Sequence, residues 1–259
     1  MRRALRLKTI GSIDKAEIIS GHRRVDIPEP GEIHVWVAAL DDAGWTDDLA
    51  FIDMEEKARA ERFYFPVHAR RFRRGRIMRR IILGNYLGMD PDKIRFETAI
   101  HGRPSLAANE IGGQAIDFNM SNSEEIVVLA VATDRRIGVD VELEKPMRDA
   151  DSIARGSFHA KEAASVAATE PPGDKLEAFF RCWTRKEAVV KAVGSGLQMD
   201  LNGFFVGTGR RVDPFQPLYE PHFEGARSWW VADFSQGPVY AALAMDGPPR
   251  ALTIRRWKP

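Results

Sequence analysis

Two long segments of the chain repeat their apolar residues at intervals of three and four, which is the spacing of one helix face. The first segment runs from about Ala69 to Leu87, and the second ends at Gly194 and Gly196, which are typical helix terminators. We place the N-cap of the second segment at Asp174, because Glu177 follows three positions later as in a capping box. The pattern therefore predicts two long amphipathic helices.

Shorter apolar runs, separated by Gly, Pro and Asn, predict strands, and two further helices are expected over Met54–Tyr64 and Ser152–Ala168. EEIVVLAVA and RIGVDVELE are expected to pair as a hairpin through the polar turn Thr133–Arg135. The other predicted strands are Ile33–Leu40, KIRFET, AIDFNMS, FFVG, RSWWVADF, PVYAALAM and ALTIRRW.

The stretches LGMDPDKIRF, from Leu87 to Phe96, and LQMDLNGFFV, from Leu197 to Val206, are similar to each other. Each follows a long predicted helix with a glycine near its end, and each places Met-Asp before an extended aromatic stretch. This repeat, offset by about 110 residues, predicts two similar halves. We therefore divide the chain into an N-terminal arm (1–30), an N-terminal half (31–115) and a C-terminal half (116–259).

Composition narrows the class of protein. The 259 residues include 38 Lys or Arg against 37 Asp or Glu, so the molecule as a whole is not expected to bind polyanions. Cys182 is the single cysteine, which excludes an internal disulfide, and the longest apolar run, Ile126–Ala132, is far shorter than the roughly 20 residues that cross a bilayer. The N-terminal residues lack the apolar stretch of a secretory signal. We expect a cytoplasmic protein with no membrane contact.

One segment departs from this charge balance. Lys57–Arg80 holds ten Lys or Arg residues and one acid, Glu61, which together create a local positive field. Such a field attracts phosphate, either on a nucleic acid or on a small nucleotide. A solvated helix face is the alternative interpretation, and both stay open at this point.

The second long helix carries charges where apolar side chains are expected. Glu187 follows Trp183 by four positions and precedes Val190 by three, so it lies on the apolar stripe, which Lys186 and Lys191 border. A Glu–Lys pair on an exposed helix would explain them and contributes about 0.3–0.5 kcal/mol. However, a carboxylate that faces the core costs several kcal/mol unless a cation or a set of donors compensates it. A lysine or a metal ion would do so.

The strand GVDVELE supplies possible neighbours for Glu187. With a side-chain period of two, Asp140 and Glu142 share a face with Glu144. The simplest interpretation is a solvated strand face. Three carboxylates, two from a strand and one from a helix, are also what Mg²⁺ prefers when phosphate oxygens complete its coordination. Lysines beside such a site would neutralise phosphate charge.

These residues fall into a known pattern. IGVDVE (Ile137–Glu142), followed about forty residues later by WTRKEAVVK (Trp183–Lys191), strongly resembles the paired signature of the surfactin-type 4′-phosphopantetheinyl transferases. Further resemblances keep the family's order over roughly residues 33 to 207, and they are ERFYF, ARRFRRGR, GRP (Gly102–Pro104), FNMSNS (Phe118–Ser123) and FHAKE (Phe158–Glu162).

The resemblance implies an α+β fold of two similar α/β halves related by a pseudo-twofold axis, with coenzyme A in the cleft between them. Asp140, Glu142 and Glu187 would hold Mg²⁺ against the coenzyme A pyrophosphate. The other implied contacts are Lys186 and Lys191 with phosphate oxygens, Arg59, Arg71, Arg103 and Pro104 with the 3′-phosphate and adenosine end, and Ser121 and Asn122 with the pyrophosphate.

The implied reaction transfers the 4′-phosphopantetheine arm of coenzyme A to a serine of an acyl or peptidyl carrier protein and releases adenosine 3′,5′-bisphosphate. It needs alignment, charge neutralisation at the pyrophosphate and an acceptor for the serine proton. Glu162 is the candidate base by resemblance, with Glu187 or a metal-bound water as rivals, and Lys191 is expected to assist at the phosphate. We expect a monomeric enzyme. The family's usual His is replaced by Asn122, which cannot carry a positive charge.

Two other functions stay open on the sequence. A nucleic-acid-binding protein would use the arginine-rich helices, but the neutral overall charge and the apolar residues between these arginines favour a half-buried helix with a basic rim. A catalytically silent relative would only bind carrier proteins, and the intact acidic triad argues against it. We therefore expect no nucleic-acid partner.

Overall fold

The computed structural model describes residues 17–20, 25–45, 47–98, 102–107, 110–111, 114–194, 199–210, 215–218 and 228–259. The helices of these residues are α1 (Met54–Glu61), α2 (Pro66–Leu87), α3 (Ala150–Ser157), α4 (Ala160–Ala168) and α5 (Pro172–Val193). The strands are β1 (Glu17–Ser20), β2 (Glu32–Ala39), β3 (Phe96–Thr98), β4 (Pro104–Leu106), β5 (Glu110–Ile111), β6 (Gln114–Ser123), β7 (Ile126–Thr133), β8 (Ile137–Leu143), β9 (Phe215–Leu218), β10 (Trp229–Asp233), β11 (Val239–Asp246) and β12 (Ala251–Lys258).

Two sheets carry most of the strands. In the larger sheet the order is β1-β12-β2-β7-β6-β5, with β12 parallel to both β1 and β2 and the other pairs antiparallel. The smaller sheet has the order β8-β11-β10-β9 and is antiparallel throughout. β3 and β4 form a separate pair. The last strand in the sequence therefore returns to the sheet of the first half.

The two sheets pack face to face between two long helices. Alternate residues of β2 separate the layers, because Trp36 shares an apolar cluster with Met78 of α2, whereas Val35 shares one with Val139 of β8. α5 covers the outer face of the smaller sheet through residues such as Phe180. A strand enclosed on both faces is apolar at nearly every position, which explains why apolar residues dominate the segment that predicted β2.

The close approach of β8 and α5 depends on Gly138. A Cβ atom at this position would lie 2.2 Å from the carbonyl oxygen of Ala188 and 2.3 Å from the amide nitrogen of Ala192. Both are backbone atoms of α5, so no side-chain rotation would relieve the clash, and only glycine fits. The C-terminal part of α5 therefore lies against β8 two residues before Asp140.

The α+β architecture of two α/β halves confirms the sequence analysis, as do both long helices. α2 and α5 each span 22 residues, begin at a proline and end at a glycine in the left-handed region, Gly88 (φ 62°) and Gly194 (φ 78°). The N-cap predicted at Asp174 is wrong, because Pro171 takes that position and Asp174 lies in the first turn. Gly196 and the start of the second repeat copy lie outside the described residues.

The predicted hairpin between β7 and β8 is wrong. β7 pairs with β2 and β6, whereas β8 pairs with β11 in the other sheet. The chain changes sheet at residues 134–136, where Asp134 has a φ of 54°. The boundary predicted between residues 115 and 116 consequently falls inside β6 instead of between the two sheets. A turn signal marks the end of a strand, but it does not identify the strand's partner.

Two smaller predictions also need correction. The helix predicted over Ser152–Ala168 is split into α3 and α4, because the chain leaves the helical conformation at Phe158 and His159, and His159 caps α4. The segment FFVG forms no strand and follows a short 3-10 helix. The predicted N-terminal arm contributes β1, which pairs with β12. No helix in the described ranges combines the length and the apolar character that crossing a bilayer requires.

Candidate active site

Side chains connect the facing edges of the two sheets. β8 forms the edge of the smaller sheet, and β6 of the larger sheet lies beside it. The amide of Ile137 donates to Asp117 Oδ2 and the amide of Val139 donates to Asn119 Oδ1, both at 2.9 Å. These bonds run from the backbone of β8 to side chains of β6, so the two strands lie farther apart than paired strands do. The seam between them therefore has space for the next polar side chains along both strands.

Asp140 on β8 occupies this seam and is almost fully buried, with 4% of its surface exposed. Its Oδ1 accepts hydrogen bonds from Ser121 Oγ (2.9 Å) and from Lys191 Nζ (2.6 Å), and Lys191 also donates to Ser121 Oγ (2.9 Å). Its Oδ2 is buried and has no hydrogen-bond partner among the described residues. Burial raises the pKa of Asp140, and the ammonium of Lys191 opposes that rise. An unpartnered buried oxygen is costly and points to a ligand-binding role.

Glu142 and Glu187 are half-buried and lie within electrostatic range of Asp140. Glu142 Oε2 accepts a hydrogen bond from Ser123 Oγ at 2.8 Å. Burial raises the pKa of both glutamates, the charge of Asp140 raises both further, and Glu142 adds to the rise at Glu187. The three carboxylates are therefore close enough to repel one another. We call Asp140, Glu142 and Glu187 the acidic group.

The donor set of the acidic group suits a hard divalent cation such as Mg²⁺. All three side chains offer carboxylate oxygens, which Mg²⁺ prefers, and Asp140 Oδ2 is an uncommitted buried oxygen among them. As they stand, no three His, Cys, Asp or Glu side chains in the described part of the chain converge closely enough to hold a metal ion. Lys191 supplies the positive charge at Asp140 in this arrangement. Rotation of the carboxylates and displacement of Lys191 would open the group to a cation.

A basic cavity of about 270 Å³ lies between α1, α2 and the loop before β4. Arg59, Arg76 and Arg79 line it together with aromatic rings, and we call it the basic cavity for these arginines. The acids Asp53, Glu55 and Glu56 also line it, and Arg79 donates to Glu56 Oε1 at 2.5 Å. The guanidinium of Arg76 lies 4.7 Å from the ring centre of Phe72, and that of Arg79 lies 3.8 Å from the ring centre of Phe96. Burial, and then the charge of Arg76, lowers the pKa of Arg79. Crowded guanidinium groups beside flat rings suit a phosphate attached to an aromatic base.

A second cavity, of about 200 Å³, extends from the same loop to the end of α5. Gly102 and Pro104 line both cavities, whereas Arg103 and Lys191 line the second. The 102–104 loop therefore lies between the basic cavity and the acidic group, and one extended ligand would span the two.

Comparisons with known proteins match both halves of the chain. Residues 36–134 match the family model described as 4′-phosphopantetheinyl transferase, N-terminal, and residues 136–232 match the one described as the 4′-phosphopantetheinyl transferase superfamily. The 4′-phosphopantetheinyl transferase HetI of Nostoc sp. is 39% identical over 168 residues, which cover 64% of this chain and 70% of that protein. The chain belongs to the 4′-phosphopantetheinyl transferase superfamily.

Other members of the superfamily are similar over comparable lengths. The transferase psf-1 of Bacillus pumilus is 36% identical over 60% of this chain and 63% of its own, and Sfp of Bacillus subtilis is 28% identical over 61% and 67%. The chain is also similar to the crystal structure of Thermotoga maritima holo-[acyl-carrier-protein] synthase, at 21% identity over 44% of this chain and 64% of that one, with a TM-score of 0.33. The family resemblance seen in the sequence is thus confirmed. The two matched regions meet where the chain changes sheet.

Two residues assigned by resemblance lie in the interior of this phosphopantetheinyl transferase. Lys186 and Glu162 have no exposed surface, and Lys186 Nζ lies 2.8 Å from Glu162 Oε2. The ammonium also donates to the carbonyl oxygens of Leu201 and Phe204, at 2.7 and 2.6 Å. Protein encloses both side chains in this structure, so the phosphate contact predicted for Lys186 and the proton acceptance predicted for Glu162 stay predictions that this arrangement does not favour.

Arg71 does not line the basic cavity of the phosphopantetheinyl transferase, although the resemblance assigned it to the adenosine end. Its guanidinium donates to Asp41 and to Glu124, each at 2.7 Å. These hydrogen bonds, above all the one to Asp41, raise the pKa of Arg71. In this structure Arg71 therefore connects α2 to two loops, and its contact with the nucleotide stays a prediction that this arrangement does not favour.

Arg103 connects the strands on both sides of the seam between β6 and β8. It donates to the Asp117 carboxylate, to the carbonyl oxygen of Ile137 at 2.9 Å and to that of Lys191. The guanidinium thereby connects the 102–104 loop, β8 and the end of α5. Arg103 also lines the second cavity, and its contact with a nucleotide stays a prediction.

Sequence reasoning missed Arg76 and Arg79, which join Arg59 and Pro104 in the basic cavity. Their positions four and seven residues after Phe72 place them on one face of α2 with that ring. This spacing is a signal that the sequence contained, hidden among the many arginines of the segment.

Residues 121–123, which end β6, are divided between the two faces of the strand. Ser121 is buried and bonded to Asp140 and Lys191, whereas Asn122 is exposed on the other face of β6. The structure therefore does not bring Asn122 to the acidic group. It does bring Ser123, which the sequence analysis left without a role, into contact with Glu142.

Proposed function

We propose that this enzyme transfers the 4′-phosphopantetheine arm of coenzyme A to a serine of an acyl or peptidyl carrier protein. The reaction requires Mg²⁺ and releases adenosine 3′,5′-bisphosphate. The transferases to which the chain is similar support the activity. The observation that carries the metal site is the buried, unpartnered Oδ2 of Asp140 beside two further carboxylates.

Coenzyme A would lie along the 102–104 loop. In the basic cavity, Arg59 and Arg76 would contact the 3′-phosphate, and Arg79 would join them by leaving Glu56. The aromatic rings that line the cavity would pack against the adenine. The pyrophosphate would extend through the second cavity toward Lys191. The two cavities thus correspond in order to the two charged parts of one ligand.

Asp140, Glu142 and Glu187 would hold the Mg²⁺. The bound cation would neutralise pyrophosphate charge as the bond to phosphorus breaks. Lys191 would turn from Asp140 to a phosphate oxygen, since 29% of its side chain is exposed and its Nζ lies at the edge of the acidic group. The chain's own contribution is to align the phosphorus with the incoming hydroxyl and to exclude water from the buried side of the group.

Glu187 would accept the proton of the carrier serine. Glu162, the first candidate, is enclosed by protein, whereas Glu187 is half-buried and keeps part of its surface exposed. A general base must lie within hydrogen-bond reach of the proton it takes. This requirement favours the exposed rim of the group, where a carrier protein arrives.

The nucleic-acid alternative loses support because arginines of α2 are engaged within the protein. Arg74 donates to Asp47 at 2.6 Å, and the buried Arg80 donates to Glu56 at 2.9 Å. A nucleic-acid backbone would have to displace these carboxylates. We further propose that the enzyme is a monomer of a reducing, cytoplasmic compartment, which the free and buried thiol of Cys182 fits.

Incubation with an apo carrier protein, coenzyme A and Mg²⁺ tests the proposal by intact mass. We expect the mass of the carrier to increase by one phosphopantetheine, and a chelator to prevent the increase. Asp140→Asn should abolish it, whereas Asp90→Asn, which alters an exposed aspartate in the first half, should not. No addition to any carrier protein of the same cell would refute the proposed function.

A further inference from the structure

Ser123, the last residue of β6, makes a hydrogen bond whose direction is fixed by the backbone. Its Oγ accepts the amide hydrogen of Leu143 at 3.1 Å and donates to Glu142 Oε2 at 2.8 Å. The amide can only donate, so the hydroxyl hydrogen is left for the carboxylate. An amide of β8 thus orients the Ser123 hydroxyl, and this hydroxyl in turn holds the Glu142 side chain of the same strand.

Ser121 repeats this arrangement two residues earlier. Lys191 donates to its Oγ, and the Oγ donates to Asp140 Oδ1. Because side chains alternate with a period of two on both strands, the hydroxyls of β6 and the carboxylates of β8 meet in register. Each serine takes one oxygen of its carboxylate and leaves the other outside these bonds.

Glu142 depends on such a bond more than Asp140 does. Asp140 is short, buried and bonded to an ammonium, whereas Glu142 is longer and half-buried. The charge of Asp140 repels Glu142, and Glu187 adds to that repulsion. Without a donor, the Glu142 carboxylate would turn toward water and away from the like charges. A hydrogen bond to a charged acceptor is strong enough to offset the entropy of ordering this side chain.

We propose that Ser123 is a positioning residue that holds Glu142 toward Asp140 and Glu187 and thereby sets the affinity of the acidic group for a divalent cation. The inference rests on the proposed function, since it assigns Glu142 to the cation. Residues that orient a metal ligand typically change metal affinity 10- to 100-fold when they are removed. Ser123 acts through Glu142 and needs no contact with coenzyme A.

Titration of the free protein with Mn²⁺, followed by the electron paramagnetic resonance signal of unbound Mn²⁺, measures this affinity without coenzyme A or turnover. We expect Ser123→Ala to weaken Mn²⁺ binding about tenfold. Ser123→Val should weaken it equally, whereas Ser123→Thr, which has the shape of valine but keeps the hydroxyl, should bind like the unaltered protein. Ser165→Ala removes an exposed hydroxyl bonded to Thr208 and serves as the control.

Equal Mn²⁺ affinities of the Val and Thr variants would overturn the inference, because the hydroxyl would then make no difference. Circular dichroism and unfolding midpoints establish that both variants are folded. A second readout is the Mg²⁺ concentration for half-maximal transfer, which should rise about tenfold in Ser123→Val while the KM for coenzyme A at saturating Mg²⁺ stays the same.

The proposed function and this inference fail differently. If the unaltered protein bound no Mn²⁺, with or without coenzyme A, the metal site of the proposed function would be wrong and the inference would be wrong with it. If the unaltered protein bound Mn²⁺ and the Val and Thr variants bound it equally well, only the role of Ser123 would be overturned.

Discussion

Replacement of Lys186 by methionine separates a structural role from a catalytic one. Lys186 and Glu162 form an ion pair with no exposed surface, and Glu162 Oε1 also accepts the amide hydrogens of Val206 and Gly207. The pair thus connects α5, α4 and the segment 199–207. Lys186→Met would leave the carboxylate without its cation and two carbonyl oxygens without their donor.

The expected loss is large because the pair is enclosed. Breaking a buried ion pair from one side costs about 3–5 kcal/mol of the free energy of unfolding. Methionine keeps the packing against the Phe204 ring, which lies 4.3 Å from Lys186 Nζ, so the loss reflects charge more than volume. In a chain of this size the loss corresponds to a Tm lowered by about 10 °C. The double variant Glu162→Gln/Lys186→Met should recover part of it, since it leaves no buried charge.

Urea unfolding monitored by tryptophan fluorescence measures the stability, and transfer per folded molecule measures the chemistry. Lys161→Met, at an exposed position beside Glu162, is the matched control. If Glu162 were the general base, Glu162→Gln would lose about 10²–10⁴-fold in turnover at unchanged stability. That outcome would refute the structural role, as would a Lys186→Met variant whose free energy of unfolding lay within about 0.5 kcal/mol of the original.

Three further predictions concern the acidic group and the acid limit of the fold. Lys191→Met should raise the affinity of the free protein for Mn²⁺ about tenfold, because a charged hydrogen bond to Asp140, worth about 1.5–3 kcal/mol, no longer competes with the cation. The variant should also bind coenzyme A more weakly in calorimetry, since it lacks the proposed phosphate contact. Unchanged Mn²⁺ affinity would contradict this. Gly138→Ala should cost at least about 1–3 kcal/mol in urea unfolding and reduce transfer, since α5 must move away from β8; original stability would disprove the close approach. Burial lowers the pKa of His34 from 6.5 to about 4, so the neutral ring contributes fully to the free energy of unfolding above pH 6.5. That free energy falls by up to about 3 kcal/mol as the pH drops from 6.5 toward 4. His34→Gln should flatten this part of the curve of stability against pH, and parallel curves for the two proteins would count against it.

The acidic face of β8 could be predicted from alternation alone. β8 has a different layer on each side, since Ile137 and Val139 belong to the core between the sheets while Asp140 and Glu142 face away from it. Under that condition a period of two assigns every side chain to its face. The partner of β8 could not be predicted in this way, because two strands joined by a short polar turn can form a hairpin or enter different sheets, and only the tertiary fold decides between the two.

The rotation of α5 lies beyond local pattern as well. The apolar stripe placed Glu187 toward the core and Lys186 at its border, whereas in the structure Lys186 is enclosed and Glu187 is half-buried. Neighbouring residues of a helix point about 100° apart, so an error of one position exchanges their surroundings. The deciding contact is with Glu162, on another helix, whose carboxylate compensates the charge of the buried Lys186. A hydrophobicity pattern counts that lysine as polar and assigns it to the rim.

The polar side chains of β6 hydrogen-bond β8, so they are not the polar residues of a solvated strand face. Asp117 and Asn119 accept amides of β8, Ser121 holds Asp140, and Ser123 does both. Buried amides of an edge strand need acceptors once a second sheet covers them. A backbone ladder would provide these, but it would bring the strands to about 4.8 Å and leave no space between their edges for carboxylates. The seam closed by side chains is therefore what gives the enzyme its buried acidic group, and it explains why polar alternation on β6 and acidic alternation on β8 occur together.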